Sequence, residues 1–215
     1  MDTPYKISCI MPSLLEEFPG SAKNRKDKFV RAVDSFLSNT FSNKELIIVS
    51  DGCPYTPDLT KRRYSRALKN GEIHLIEIQK KEPREYFVGA IRQQGIEWAT
   101  GDVLCNLDSD DYFLPNHLHN ISCTFDPNKH DWAYFNYVRK LDQLKSVEEL
   151  VEAKPTLDGL CTVNVVWRKG LDVSWNNCNG RQDNKEFNSQ LLEKYPNFTQ
   201  IYGCGYVVAN ANITS

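Results

Sequence analysis

The chain has 215 residues, of which 40% are hydrophobic and 25% are charged, as in an ordinary single-domain globular protein. Its 26 Lys and Arg residues nearly balance 28 Asp and Glu residues, for a formal net charge of −2. This balance excludes the basic footprint of a general nucleic-acid-binding protein, and we interpret the local basic clusters at residues 23–28 and 61–66 as solvated helix faces rather than binding patches. No apolar run approaches the ~20 residues needed to span a bilayer, and the N-terminal segment lacks the apolar core of a signal peptide. We therefore expect a soluble, cytoplasmic protein, with peripheral membrane contact left open.

The seven cysteines show no CxxC pair and no regular spacing, so neither a cysteine zinc site nor a disulfide framework is indicated. Cys9 and Cys105 lie within apolar, strand-like runs. We expect both to be buried, reduced thiols.

The first half of the chain alternates between strand and helix patterns. Strand patterns lie at residues 6–11, 44–50, 72–79 and 102–111, and helix patterns lie at 25–39, 56–71, 85–101 and 115–125. Repeated strand–helix–strand units predict a mostly parallel sheet with helices on both faces. No internal repeat interrupts this half.

The second half is less regular. An aromatic-rich strand at 131–138 precedes a polar stretch at 140–154 and another strand pattern at 161–170. An Asn- and Gly-rich segment at 175–184 is typical of a loop, and it leads into an amphipathic helix at 185–195 and a last strand at 201–210.

The clearest chemical signal is an acidic tip that follows an apolar strand. Asp108, Asp110 and Asp111 fall within four residues. Like charges this close repel one another, which favours a bound cation, and oxygen ligands suit Mg²⁺ or Mn²⁺. The alternative is an acidic turn in which Asp111 caps a helix beginning near Pro115. A calcium loop of the EF-hand type is disfavoured because its glycine position holds Phe113.

Three further residues have both a functional and a structural interpretation. Asp51 ends an apolar strand before Gly52, where it can bind a nucleotide base or ribose, or simply form an Asp-Gly turn. Asp183 lies at a loop–helix junction and can be a general base or an ordinary N-cap. Arg92 lies on the helix before the acidic strand, where it can pair with a diphosphate, pair with a tip carboxylate, or serve the structure alone.

Other catalytic patterns are absent from the sequence. It contains no GxxxxGK[ST], GxSxG or HExxH motif. Its four histidines do not have the spacing of a metal-ligand set, and we expect His117 and His119 to face solvent on a helix.

Taken in order, four segments resemble family 2 glycosyltransferases of the GT-A fold. KISCIMPSLLE is similar to the family's first strand and turn, and RAVDSFLSNTFSNKELIIVSDGC is similar to its next helix and acidic-Gly strand end. VGAIRQQGIEWATGDVLCNLDSDDYFLPNHL follows its Gly, Ala, Arg, Gly pattern, DxD motif and proline. RQDNKEFNSQLLEK resembles the segment that carries the catalytic base. The match is good over residues 6–125 and looser beyond.

The resemblance implies a three-layer, Rossmann-like α/β sandwich with a mostly parallel central sheet and a smaller acceptor-side region. Residues 1–125 would form the nucleotide-sugar-binding half, and residues 126–215 the acceptor-binding and catalytic-base half of one domain. Ser13 would lie beside the nucleotide and Asp51 would contact its base, commonly uracil. Arg92 would contribute to the same nucleotide-sugar site.

For the acidic tip, the resemblance implies that Asp110 is the direct metal ligand. Asp108 would lie near the ribose or a metal-bound water, with Ser109 between them in the donor site. Asp183 would deprotonate the acceptor hydroxyl. The chain departs from the family pattern at Ser50, where a second acid is common, and at Gln182, where Glu is common.

The family's late histidine has no counterpart in YVVANANITS, and Asn210 or Asn212 could replace it. The expected activity is inverting, Mn²⁺- or Mg²⁺-dependent transfer from a nucleotide sugar, with UDP as the expected nucleotide. The acceptor would be a hydroxyl of a glycan, lipid or other molecule, as in polysaccharide biosynthesis. The alternatives are a sugar-nucleotide nucleotidyltransferase and a non-catalytic nucleotide- or carbohydrate-binding module.

Overall fold

The computed structural model describes residues 5–17, 23–79, 88–142, 147–175, 183–203 and 205–209. Within these ranges no helix is both long and apolar enough to cross a membrane.

Strands and helices alternate through the first half, as predicted. The strands are β1 (Ile7–Ser13), β2 (Lys44–Asp51), β3 (Ile73–Ile78), β4 (Val103–Asn106), β5 (Tyr112–Phe113), β6 (Trp132–Phe135), β7 (Tyr137–Asp142), β8 (Val147–Val151), β9 (Val165–Arg168), β10 (Phe198–Ile201) and β11 (Tyr206–Val208). The α-helices are α1 (Arg25–Leu37), α2 (Tyr55–Arg63), α3 (Ser65–Lys69), α4 (Val88–Trp98), α5 (His117–Thr124) and α6 (Asp183–Lys194).

A seven-stranded sheet with the order β10-β6-β9-β4-β1-β2-β3 forms the centre of the molecule. β1 runs parallel to both β2 and β4, β2 is parallel to β3, and β6 is parallel to β10. β9 is antiparallel to both of its neighbours, β4 and β6. The predicted α/β fold with a mostly parallel central sheet is therefore confirmed.

Both faces of the central sheet are covered, which gives three layers. Along β2, Leu46 and Ile48 pack into one core while Ile47 and Val49 pack into the other, because successive side chains of a strand point to opposite faces. α1 and α5 contribute to the first core, and α4 and α6 contribute to the second. β6, β9 and β10 follow residue 126, so both predicted halves build the same sheet.

A smaller sheet, with the order β5-β11-β7-β8, lies beside the end of β4. β11, close to the C-terminus, pairs antiparallel with β5 and parallel with β7. The predicted strand at 131–138 is in fact two strands in different sheets, separated at Asn136. The Asn136 side chain accepts a hydrogen bond from the Ala153 main-chain N–H (2.9 Å), which fixes this change of sheet.

The helix predicted at 56–71 is divided at Tyr64, whose φ of −117° and ψ of 27° are not helical. Its buried hydroxyl donates to Asp34 Oδ1 on α1 (2.8 Å), so a tertiary contact overrides the helical pattern. The prediction for Cys9 and Cys105 is confirmed: both are buried free cysteines whose sulfur atoms lie 3.2 Å apart between β1 and β4.

A buried carboxylate holds together the chain segments at the amino-end edge of the central sheet. Glu45 on β2 is fully buried, and its oxygens accept hydrogen bonds from Lys6 Nζ (2.5 Å), Ser8 Oγ (2.6 Å) and the Thr100 N–H (2.7 Å). Burial alone would raise the pKa of Glu45, but these hydrogen bonds lower it from its ordinary value of 4.5 to about 2. The charged form therefore stabilises the fold.

Replacing Glu45 by Gln should lower the free energy of unfolding by about 3 kcal/mol near neutral pH. Because the pKa of Glu45 is depressed in the folded state, its contribution is present above the ordinary pKa of 4.5 and is lost as the pH falls toward about 2. Urea denaturation of both proteins at a series of pH values measures this difference. The exposed Glu77, which pairs with Lys61, provides the control Glu77→Gln, expected within about 0.5 kcal/mol of wild type. If the difference in the free energy of unfolding between wild type and Glu45→Gln did not change with pH, the lowered pKa of Glu45 would be contradicted.

Candidate active site

Three predicted site segments meet at the carboxyl-end edge of the sheet. β1 ends at Ser13, which pairs in register with Ser50, and Asp51 follows at the end of β2. β4 lies on the other side of β1 and leads directly into Asp108. In open α/β sheets this edge forms the ligand crevice. The topology therefore brings Ser13, Asp51 and the acidic tip together.

The two hydroxyl groups beside this crevice have local partners. Ser13 is buried, and its Oγ lies 3.0 Å from Thr56 Oγ1 in the first turn of α2. Ser50, which occupies the position of the family's second acid, donates to the Cys53 main-chain oxygen (2.9 Å) and so fixes the turn after β2. Thr56 is not among the residues predicted from the sequence, although its position just after the Asp-Gly turn was an available signal.

Arg92 pairs with the acidic tip. Its Nη2 donates to Asp108 Oδ1 (2.9 Å), and the arginine side chain is only 6% exposed. The guanidinium group also lies over the Trp175 ring, 5.1 Å from the centroid, and Trp175 stacks on Phe187 of α6 at 4.2 Å. A Cβ at Gly89, one turn earlier on α4, would lie 3.3 Å from Trp175 atoms. These contacts hold α4, the tip and α6 together.

Asp111 connects the acidic tip to the C-terminal strand. Its side chain is buried; Oδ2 accepts a hydrogen bond from the Tyr206 hydroxyl (3.0 Å), and Oδ1 accepts one from the Ala209 main-chain N–H (2.9 Å). The Tyr206 oxygen accepts in turn from the Asp108 main-chain N–H (3.1 Å). Burial raises the pKa of Asp111 well above its usual range, and the charges of Asp108 and Asp110 raise it further.

These contacts contradict the alternative in which Asp111 caps a helix near Pro115. α5 begins at His117, and its N-cap residue, Asn116, makes no side-chain capping hydrogen bond. Asp111 instead satisfies two donors of β11 and its following residue. The acidic tip is thus not explained as a helix cap.

Cationic side chains on α1 also approach the tip. Arg31 Nη2 donates to the Asp110 main-chain oxygen (2.5 Å). Lys28, one turn earlier, is buried; burial lowers its pKa, and the nearby charge of Asp110 opposes that shift. The carboxylate repulsion from which the sequence predicted a metal is therefore partly offset by protein cations. The expectation that the basic segment at residues 23–28 is a solvated helix face is wrong for Lys28.

The prediction that His117 faces solvent is also wrong. Its ring is buried against Phe113 (4.3 Å between ring centroids) and Phe135 (4.9 Å), and burial lowers the pKa of His117 to about 3. A Cβ at Gly205 would lie 2.7 Å from the His117 Cβ, so β11 approaches the helix too closely for a larger residue. The neutral imidazole is part of the packing beneath Tyr206.

Asp183 is the first residue of α6, and its side chain lies outside the described part of the chain. Gln182, Asn210 and Asn212 also lie outside it. Hydrogen bonds nevertheless connect the start of α6 to the end of β4: Thr162 Oγ1 bonds to the Asn184 side chain, and the Thr162 main-chain oxygen accepts from Asn106 Nδ2 (3.1 Å).

The tip fits a metal that is bound together with a phosphate ligand. Among the described residues, no group of three or more His, Cys, Asp or Glu side chains could hold a metal ion. Asp108 and Asp110 can still supply two carboxylates to an ion. The Asp108 side chain is 30% exposed. Mg²⁺ commonly binds through one or two carboxylates, with substrate phosphates and water as the other ligands.

Replacing Tyr206 by Phe removes the acceptor of the Asp108 N–H and the hydroxyl donor to Asp111. Because both groups are then left without that partner, the free energy of unfolding should fall by about 1–3 kcal/mol. Hydrogen exchange should also quicken at the Asp108 amide, which chemical denaturation and exchange can measure together. The control is Tyr202→Phe, since Tyr202 is 74% exposed. Equal stability and equal exchange in the two variants would show that the Tyr206 hydroxyl does not hold the tip.

Comparisons with known proteins agree with this geometry. Residues 21–187 match the family model described as Glycosyl transferase family 2. No curated protein matches the sequence.

Several solved structures share the fold. S. aureus TarS 1-349 aligns with a TM-score of 0.72 and 15% identity over 95% of this chain and 60% of that one. The structure of the same protein in complex with UDP-GlcNAc aligns with a TM-score of 0.70 and 14% identity, over 96% of this chain and 59% of that one. The mannosyltransferase PcManGT from Pyrobaculum calidifontis, in complex with GDP-Man and Mn²⁺, aligns with a TM-score of 0.65 and 13% identity, over 98% of this chain and 58% of that one.

The chain thus spans about 60% of the TarS 1-349 structure. These neighbours are GT-A glycosyltransferases, which confirms the predicted fold. The family match covers well over half of the chain. The chain therefore belongs to glycosyl transferase family 2 and has the GT-A fold.

Proposed function

We propose that the chain transfers one sugar from a nucleotide-sugar donor to an acceptor hydroxyl, with inversion at the anomeric carbon. The observation that carries this proposal is the acidic tip, which lies at the carboxyl-end edge of the sheet in a family 2 domain. Residues 1–125 supply most of the donor side. Residues 126–215 supply the acceptor side and the proposed base, and the protein acts in the cytoplasm.

The donor would lie across the ends of β1, β2 and β4. The Asp51 carboxylate can accept a hydrogen bond from the N–H of a uracil ring, and Ser13, which pairs in register with Ser50, would lie beside the nucleotide. Asp108, Ser109 and Asp110 would lie under the diphosphate. TarS has been solved with UDP and with UDP-GlcNAc, and PcManGT with GDP-Man, so UDP is the expected nucleotide and GDP the first one to compare with it.

Asp110 and Asp108 would hold Mn²⁺ or Mg²⁺. A bound ion of this kind supplies positive charge that stabilises the leaving diphosphate. Arg92 positions Asp108 through its 2.9 Å ion pair, so one tip carboxylate is already oriented by the protein. Tyr206 and Ala209 do the same for the adjacent Asp111.

Asp183 would act as the general base. Its carboxylate takes the proton of the acceptor hydroxyl while the hydroxyl oxygen forms a bond to the anomeric carbon. The bond from that carbon to the diphosphate oxygen breaks on the opposite face, and the nucleoside diphosphate leaves with the electron pair. A single displacement of this kind, through an oxocarbenium-like transition state, inverts the configuration.

The nucleotidyltransferase alternative predicts a different product. That enzyme would release pyrophosphate, whereas a glycosyltransferase releases the nucleoside diphosphate. Membership of glycosyl transferase family 2 supports the second outcome. A thermal-shift screen of UDP-, GDP- and dTDP-sugars with Mn²⁺ should identify the donor, since a bound ligand stabilises the folded state. Pyrophosphate as the product, or no stabilisation by any of these donors, would contradict the proposal.

Replacing Asp110 by Ala should weaken Mn²⁺-dependent UDP binding by roughly a hundredfold or more, because a direct metal ligand is lost. Calorimetric titration with and without Mn²⁺ measures the effect, and the two proteins should bind UDP equally in a chelator. Asp58→Ala removes an exposed carboxylate of α2 and serves as the control. Wild-type affinity of the Asp110 variant in the presence of Mn²⁺ would rule out this ligand.

Replacing Asp183 by Asn should reduce kcat by about 10²–10⁴-fold while leaving the Kd for UDP unchanged. The assay is UDP release from the identified UDP-sugar, whether by transfer or by hydrolysis. Glu193→Gln, an exposed change on the same helix, should keep wild-type kcat. Near-normal turnover of the Asn variant would show that another group removes the proton.

A further inference from the structure

Three basic residues of α1 form a row on one side of the helix. Arg25, Lys28 and Arg31 are spaced three residues apart, so they lie on successive turns of the same face. We call these three residues the α1 cationic row. From the sequence, residues 23–28 are expected to form a solvated helix face with no role in the site.

Hydrogen bonds at its two ends fix the position of the α1 cationic row. Arg25 Nε donates to the Leu14 main-chain oxygen (2.6 Å), directly after Ser13 at the end of β1. Arg31 Nη2 donates to the Asp110 main-chain oxygen (2.5 Å), in the acidic tip after β4. β1 and β4 are neighbours in the sheet, so the row crosses the space between their carboxyl ends. Lys28 lies in the middle of the row.

The middle of the row is buried and electrostatically connected to the tip. Lys28 is 9% exposed, and its charge interacts favourably with Asp110 and Asp111 and unfavourably with Arg31 and Arg25. Holding three cations together costs free energy unless anions lie nearby. Arg31 donates to a main-chain oxygen rather than a carboxylate, and its buried Nε has no hydrogen-bond partner among the described residues.

We propose that the α1 cationic row, centred on Lys28, is a second diphosphate-binding element, which binds the donor's phosphate oxygens independently of a metal ion. The inference rests on the proposed nucleotide-sugar site and extends it. Lys28 supplies a point charge on the β1 side of the diphosphate, while Asp110 and its cation hold the β4 side. Part of the donor affinity is therefore independent of Mn²⁺.

The test compares UDP with uridine, which lacks the phosphates. Calorimetry in a chelator should show that wild-type protein prefers UDP to uridine by about tenfold or more. Lys28→Met keeps a long apolar side chain in the buried position and removes the charge. It should abolish most of this preference and leave uridine binding unchanged. Lys28→Arg should retain it in large part.

The control is Lys26→Met, because Lys26 is exposed on the same helix and lies over the Tyr55 ring instead (4.1 Å). It should bind UDP within about twofold of wild type. Thermal melting confirms that each variant is folded. If Lys28→Met should fail to fold, the wild-type and Lys28→Arg titrations in the chelator still decide the question.

The outcomes separate this inference from the proposed function. Either of two results overturns the proposal for the α1 cationic row alone. In the first, wild-type protein binds UDP only with Mn²⁺; in the second, the Lys28→Met variant keeps the wild-type preference for UDP. Equal weakening of UDP and uridine also overturns it, because that result indicates a purely structural lysine. Wild-type protein that binds neither UDP nor GDP with Mn²⁺ overturns both the row and the proposed function.

Discussion

Electrostatic crowding at the acidic tip is the constraint on which the rest of the site depends. Three carboxylates within four residues can remain at the end of β4 only if other parts of the fold compensate their charge. Arg92 of α4 pairs with Asp108, Arg31 of α1 binds the tip main chain, and Tyr206 of β11 and the following Ala209 donate hydrogen bonds to Asp111. Helices from both faces of the sheet and the last described strand therefore converge on the tip. In the function that we propose, the same tip would also hold a divalent cation and the diphosphate of the donor.

Much of the carboxyl-end edge of the central sheet could be predicted from the sequence, because the signals that indicate it are local. Short, continuous apolar runs mark the buried strands, and the residues that end them mark one edge of a parallel sheet. Asp51 and Asp108 could therefore be placed at the same crevice before any contact was known. Arg92 could be assigned a tip carboxylate as one possible partner, and the structure contains this pair.

The remaining features depend on contacts between distant parts of the chain, which leave no local pattern. Tyr206 is 95 residues from Asp111, and nothing around it in the sequence indicates that its hydroxyl bonds to the tip. His117 has ordinary helical neighbours, yet the close approach of β11 at Gly205 buries it. Lys28 belongs to a basic run typical of a solvated surface, and only the packing of α1 against the tip buries its side chain. The metal was predicted from carboxylate repulsion and from the preference of Mg²⁺ and Mn²⁺ for oxygen ligands, with no role given to Lys28 or Arg31.

The central claim is that one divalent cation joins the acidic tip to the donor's diphosphate. A crystal of the protein grown with Mn²⁺ and UDP, measured near the manganese absorption edge, tests it most directly. We expect an anomalous peak within bonding distance of an Asp110 carboxylate oxygen and of oxygens from both phosphates. A complex with bound UDP, no manganese at the tip, and Asp110 in contact only with protein groups would contradict the account.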